Sequence, residues 1–160
     1  PPHLAHDLVP MLAQLPTKNP EAAHITDASS PGHLPVACAS ASLAQQLAQL
    51  LRLRVAQMNA CSYCLILHTK AAHDQGIHPA KVAHLHSWQE STMFDAAEQA
   101  ALGYCEALTD YNPAAFAPLH EAMKEHFSET EIAEVAAIVI NMNLWTRLKL
   151  AQGATPVLES

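Results

Sequence analysis

One long segment near the end of the chain, residues 129–151, restricts the fold more than any other feature. Its apolar residues fall on more than one face of a helix. The residues Ser128-Glu-Thr-Glu131 before it have the spacing of a capping box, and Gly153 and Pro156 end it. A helix with apolar residues on several faces must be buried, inside a core or between subunits. The segment therefore predicts a helical fold and favours a homo-oligomer, without fixing its order.

The rest of the sequence predicts further helices packed on this one. Half of the 160 residues are apolar, only four are glycine, and runs of β-branched residues are scarce. Apolar periodicity and cap residues predict helices over 40–58, about 60–75, 79–87, 95–109 and 113–126. The expected fold class is all-α, with one domain of six to seven helices over residues 40–160. Prolines interrupt residues 1–39, which are predicted to form an N-terminal arm.

Charge and hydropathy exclude several classes of function. The formal net charge is −7, and no two Lys or Arg residues are adjacent, so neither a nucleic acid nor an anionic membrane surface is an expected partner. No apolar run reaches the ~18–20 residues that span a bilayer. No basic segment followed by an apolar stretch opens the chain, so a cytoplasmic protein is expected.

The candidate chemistry lies in residues 59–73, NACSYCLILHTKAAH. If a helix begins near Ala60, with Asn59 as its cap, Cys61 lies in the first turn and Cys64 just beyond it. Backbone amides and the helix dipole favour a thiolate there, and the thiolate is the reactive form. Cys64 and His68 are four residues apart and share a helix face. The segment therefore offers a nucleophile, a nearby thiol for a disulfide and a proton carrier.

Two other interpretations of this CxxC pair remain open. It can be half of a zinc site, but a structural zinc ion needs four ligands, and only His84 and His86 offer a second closely spaced pair. It can also be two inert buried thiols. No metal is predicted, and the histidines at 73, 78, 84 and 86 are expected on the surface or at an interface. Cys38 and Cys105 are expected to be small buried apolar residues.

The motif QMNACSYCLILHTK, residues 57–70, resembles the core motif of alkyl hydroperoxidase D (AhpD)-like proteins in the carboxymuconolactone decarboxylase superfamily. The preceding LRVA, residues 53–56, is similar as well. In the last predicted helix NLWTR, residues 143–147, resembles the Asn-x-Trp-Asn-Arg that these proteins often have. The resemblance covers roughly residues 40–153, with both motifs in the family's order.

The resemblance implies an all-helical fold, assembly as trimers or as hexamers built from dimers, and thiol-dependent peroxide reduction. Applied to this chain, the roles of the family's residues imply that Cys64 attacks a hydroperoxide, that Cys61 resolves the product as a Cys61–Cys64 disulfide, and that His68 belongs to a proton relay. A dithiol protein, thioredoxin-like or lipoyl-bearing, is the expected reductant, and no bound organic cofactor is implied. The superfamily's lactone decarboxylases usually lack this CxxC pair.

One position departs from the family pattern. The relay usually includes a Glu twelve residues before the first cysteine, where this chain has Gln49. Gln hydrogen-bonds but does not carry a proton as a carboxylate does. Gln49 and Tyr63 are considered as relay or support residues, and packing is the favoured role of Tyr63. Two alternatives to a peroxidase therefore remain, a non-peroxidatic redox-sensing or binding protein and a decarboxylase acting on a small ring acid.

Overall fold

A computed structural model describes residues 41–153 and 156 of the chain, and within these residues it is all-α, without a strand. The predicted fold class is thereby confirmed. The predicted N-terminal arm, residues 1–39, lies outside the described residues, as does Cys38. The elements follow in the order α1 (Ala41–Met58), α2 (Ser62–Asp74), α3 (Pro79–Ala83), a 3₁₀ helix (Leu85–Glu90), α4 (Ala96–Asp110), α5 (Pro113–Lys124) and α6 (Glu129–Ala151).

Helix α1 is the central element of the described fold, because α2, α4 and α6 all pack against it. It therefore buries apolar residues on several faces, among them Leu50, Leu51, Leu53 and Val55. Burying each of these side chains away from water stabilises the fold by ~1.5–3 kcal/mol. The helix that carries the candidate site, α2, is thus held against the most deeply buried helix of the fold.

Helix α6 is buried along one face and exposed along another. Ile132, Val135 and Val139 lie in the core, whereas Ile140 is 61% exposed and Leu144 is 55% exposed. Of the two predicted alternatives, burial in the core therefore holds for one face of this helix and not for the other, as far as residues 41–153 are concerned.

Most predicted helix ends are confirmed because their signals are local. Asp95 and Ser128 each form a capping box with the Glu three residues later, at the starts of α4 and α6. Gly76 ends the α2 region with a φ of 77°, a conformation that glycine adopts without strain. The side chains of Asp95 and Ser128 satisfy first-turn amides that have no partner within their own helix.

The predicted helix over 79–87 is wrong in its second half. Helix α3 ends at Ala83, and a 3₁₀ helix follows, with Ser87 at a non-helical φ of −121°. Leu85 and Trp88 are both buried, and the three-residue period of a 3₁₀ helix keeps them on one side. The indole Nε1 of Trp88 also donates to Glu106 Oε1 at 2.7 Å, which fixes this segment against α4.

No helix among residues 41–153 has the length and hydropathy to cross a bilayer.

Candidate active site

The turn between α1 and α2 places the CxxC pair differently from the prediction. Ala60 has a φ of 50°, in the left-handed region, so it stops the helical path. Helix α2 therefore begins at Ser62 rather than near Ala60, and Cys61 is its N-cap instead of a first-turn residue. The Cys61 sulfur accepts from the Cys64 backbone N–H at 3.4 Å. Cys64, predicted just beyond the first turn, lies within it.

Cys61 and Cys64 form a disulfide, with 5.3 Å between their Cα atoms. This Cα separation lies within the usual range for a disulfide. Cys61 is 1% exposed and Cys64 is 4% exposed, so the pair is covered by the protein. The two cysteines are thus placed by the backbone within disulfide distance of each other.

His68 follows Cys64 by one helical turn and is buried as well. Gln49 of α1, which is 2% exposed, reaches this histidine from the neighbouring helix. Its Nε2 donates to the backbone O of His68 at 2.9 Å and lies 3.0 Å from the ring Nδ1. Arg52 Nη1 donates to Gln49 Oε1 at 3.3 Å. Gln49, the position singled out by the family pattern, therefore contacts the predicted proton carrier directly.

Tyr63, the other predicted support residue, lies on the surface of α2. The Nζ of Lys149 in α6 lies 4.4 Å from the centre of its ring. A cation over an aromatic face is stabilising by ~0.5–1 kcal/mol at an exposed site. The ring therefore joins α2 to the end of α6 at the surface.

A polar cluster behind the CxxC turn joins this turn to α6. Asn59 Nδ2 donates to Asn143 Oδ1 at 2.9 Å and to Thr146 Oγ1 at 2.7 Å. Asn143 Nδ2 donates in turn to Thr109 Oγ1 and to Val139 O. The prediction that Asn59 caps α2 is therefore wrong, because its side chain anchors the turn to α6. The sequence signal was Asn143, a polar residue in an apolar helix that needs a partner.

The remaining candidate residues are separate from this site. Within the described part of the chain, no three His, Cys, Asp or Glu side chains are grouped to hold a metal ion. His73 and His86 are exposed, His78 caps α3, and His84 contacts Ser91.

Cys105 is fully buried in α4, and its Sγ lies 3.9 Å from the Leu51 carbonyl oxygen. The pKa of the Cys105 thiol is raised to about 12, mainly by burial and to a smaller extent by the charge of the neighbouring Glu106 carboxylate. This thiol is therefore protonated at ordinary pH, in contrast to what a reactive cysteine requires.

Comparisons with known proteins agree with the motif. The model of the carboxymuconolactone decarboxylase family matches residues 36–107, which include Gln49, the cysteine pair and His68. The uncharacterized protein YdfG of Bacillus subtilis (strain 168) is 32% identical over 107 residues, which are 66% of this chain and 72% of that protein. The uncharacterized protein YnjA of Escherichia coli (strain K12) is 26% identical over 102 residues, 64% of this chain and 56% of that protein.

A solved structure has the same fold. It is a protein of unknown function from Agrobacterium tumefaciens that has been suggested to be an antioxidant defence protein AhpD. The superposition has a TM-score of 0.68 with 25% identity, and it covers 71% of this chain and 79% of that one. The likeness thus extends beyond the CxxC motif to the arrangement of the helices.

Proposed function

The chain belongs to the carboxymuconolactone decarboxylase superfamily, an enzyme superfamily, as an AhpD-like member, and on this premise we propose that it is a thiol-dependent hydroperoxide reductase. The observation that carries the proposal is the Cys61–Cys64 pair at the start of α2, one turn before the buried His68. A pair of thiols that closes to a disulfide stores the two electrons that a peroxide bond requires.

In the first step Cys64 is the nucleophile. Its position in the first turn of α2 favours the thiolate, because the amides and dipole at a helix N-terminus stabilise negative charge. The thiolate sulfur attacks one oxygen of the hydroperoxide, the S–O bond forms, and the O–O bond breaks. The other oxygen leaves as an alkoxide and takes up a proton to become the alcohol. Cys64 is then a sulfenic acid.

In the second step Cys61 resolves this sulfenic acid. The Cys61 sulfur attacks the Cys64 sulfur, the S–S bond forms, and the S–O bond breaks to release water. The 5.3 Å between the two Cα atoms supports this closure. A dithiol protein, thioredoxin-like or lipoyl-bearing, then supplies two electrons and two protons by thiol–disulfide exchange. Because Cys64 is only 4% exposed, the proposal favours a small hydroperoxide over a bulky lipid one.

The test is to add one equivalent of hydrogen peroxide or of an organic hydroperoxide to the reduced protein and to measure the intact mass and the hydroperoxide remaining. We expect loss of two hydrogen atoms, a Cys61–Cys64 disulfide and equimolar alcohol from the organic substrate. Cys64→Ser is expected to abolish hydroperoxide consumption. Cys105→Ser is the matched control, because Cys105 is buried outside the pair, and its rate is expected to stay near that of the unchanged protein.

Other outcomes would favour the alternatives. Absence of any reaction over minutes would contradict the peroxidase proposal and favour a redox-sensing or binding protein. Conversion of a small ring lactone acid that persists in Cys64→Ser would favour a decarboxylase. The same reactions run with a thioredoxin or a lipoyl domain as reductant identify which of the two restores the dithiol.

We also propose that the exposed apolar face of α6 is covered by a second copy of the chain. Ile140 and Leu144 lie one turn apart and are both more than half exposed, on a helix that buries Ile132, Val135, Val139 and Met142 in the core. Light scattering with size-exclusion chromatography tests this. Leu144→Lys is expected to lower the molar mass to that of a smaller assembly or a monomer. Tyr111→Lys, at an exposed side chain outside α6, is expected to leave the molar mass unchanged. Equal masses for both variants and the unchanged protein would contradict the proposal.

A further inference from the structure

The orientation of the Gln49 side-chain amide is determined by two neighbours whose hydrogen-bonding chemistry is fixed. A backbone carbonyl only accepts, so the atom 2.9 Å from the His68 O must be the amide nitrogen. A guanidinium only donates, so the atom 3.3 Å from Arg52 Nη1 must be the amide oxygen. Rotating the amide by half a turn would place two acceptors together at one end and two donors together at the other. Only one orientation satisfies both neighbours.

The amide orientation in turn determines the role of one ring nitrogen of His68. The Gln49 nitrogen that donates to the His68 carbonyl has a second hydrogen, and it lies 3.0 Å from the ring Nδ1. Because a donor faces Nδ1, Nδ1 must be the nitrogen that accepts. A neutral imidazole has one N–H, so its proton is then on Nε2. A protonated imidazole, with an N–H on both nitrogens, would place two donors against each other at Nδ1.

A carboxylate at position 49 would have the opposite effect. It has only acceptors when ionised, so it would repel the His68 carbonyl and attract a proton to Nδ1. The lone pair would then be on Nε2, where it could act as a base. Gln and Glu have almost the same shape, but they set opposite tautomers of the same histidine.

We propose that Gln49 is a positioning residue that holds His68 as the Nε2–H tautomer, so that His68 is a hydrogen-bond and proton donor and not a base. Applied to the reaction, which rests on the proposed function, this means that His68 does not take the proton of the Cys64 thiol. The Cys64 thiol instead loses its proton to solvent water before the attack. His68 gives the Nε2 proton to the leaving alkoxide and takes one back from solvent, so that in total one proton passes from the thiol to the alcohol.

The tautomer can be measured without turnover, by long-range ¹H–¹⁵N NMR of protein labelled in its histidine rings. His68→Asn identifies the His68 signals by their loss. In the unchanged protein we expect the shift of an unprotonated nitrogen at Nδ1 and of a protonated nitrogen at Nε2, both oxidised and reduced. In Gln49→Glu we expect the Nδ1 signal to move to the protonated region. Gln46→Glu is the matched control, because Gln46 is on the same helix and its Nε2 donates to Gln75 O instead.

Two results would overturn the proposal. One is a protonated Nδ1 on His68 in the unchanged protein. This test does not depend on whether any variant folds. The other is an unaltered His68 pattern in a folded Gln49→Glu protein. A chain that shows the Nε2–H tautomer but does not react with hydroperoxide would contradict the peroxidase proposal alone, so the two failures are distinguishable.

Discussion

Replacing Asn59 by Ala tests how the CxxC turn is attached to the rest of the fold. The Asn59 amide is the donor to two groups on α6, Asn143 Oδ1 and Thr146 Oγ1, and both of these residues are buried. The substitution removes both hydrogen bonds and leaves these acceptors without that donor. It also frees the turn next to Ala60, whose φ of 50° is unfavourable for a residue other than glycine.

The expected loss of stability follows from these contacts. A buried polar group that loses its partner costs about 1–3 kcal/mol. Thr146 Oγ1 keeps its own donation to the Asn143 carbonyl, so its loss is the smaller of the two. The sum predicts that Asn59→Ala lowers the free energy of unfolding by about 2–4 kcal/mol, toward the upper range of single substitutions. Asn59→Asp should show a similar or greater loss, because a carboxylate cannot donate.

The assay is urea unfolding followed by circular dichroism, at two protein concentrations so that any oligomer dissociation is recognised. Asn112→Ala is the matched control, because Asn112 is exposed and its side chain makes no cap hydrogen bond to α5. Its expected effect is within about 0.5 kcal/mol, as for ordinary surface substitutions. A loss for Asn59→Ala that is no larger than that of Asn112→Ala would show that the polar cluster does not anchor the turn.

Three further predictions concern a cap, a thiol and the strained turn. Ser128→Ala should cost ~1 kcal/mol of stability at neutral pH in urea unfolding, because Ser128 caps α6. Hydrogen bonds from the Ser128 backbone and side chain lower the pKa of Glu131 from 4.5. The stability that these bonds provide is therefore present above pH 4.5 and is lost as the pH falls through the lowered pKa. Equal effects of Ser128→Ala at neutral and strongly acid pH would contradict this. Cys105, with a pKa of about 12, should remain unalkylated by iodoacetamide in the folded protein at mildly alkaline pH and react once guanidinium unfolds it, as read by peptide mass spectrometry. Ala60→Gly should change the unfolding free energy by less than ~1 kcal/mol, because the relief of left-handed strain is offset by the greater freedom of the unfolded chain. Ala60→Val should lower the unfolding free energy by ~1–2 kcal/mol. Equal effects of the two substitutions would contradict the left-handed turn.

The order of the helices could be predicted because its signals are local. Asp95 and Ser128 carry their capping partners three residues later, and Gly76 stops a helix by its own conformational preference. The start of α2 could not be predicted in this way. Ala60 is an alanine, a strong helix former, and nothing near it in sequence shows that tertiary contacts hold it in a left-handed conformation.

The site itself could be predicted only in part. The spacing of Cys61, Cys64 and His68 is visible in the sequence because all three are on one short segment. The anchor between Asn59 and Thr146 joins residues 87 positions apart, and no periodicity links them. Gln49 could be located by the family pattern, but the proposed effect on His68 depends on which amide atom faces which neighbour, and that depends on how α1 and α2 pack together.

The central claim is that Cys64 attacks the hydroperoxide. The most direct measurement uses reduced Cys61→Ser protein, one equivalent of hydrogen peroxide and dimedone, which traps sulfenic acids, followed by peptide mass spectrometry. With the resolving thiol absent, we expect a dimedone adduct on Cys64 and none on Cys105, whose thiol is buried and protonated. An absent adduct, or one found elsewhere while Cys64 stays a thiol, would contradict the claim.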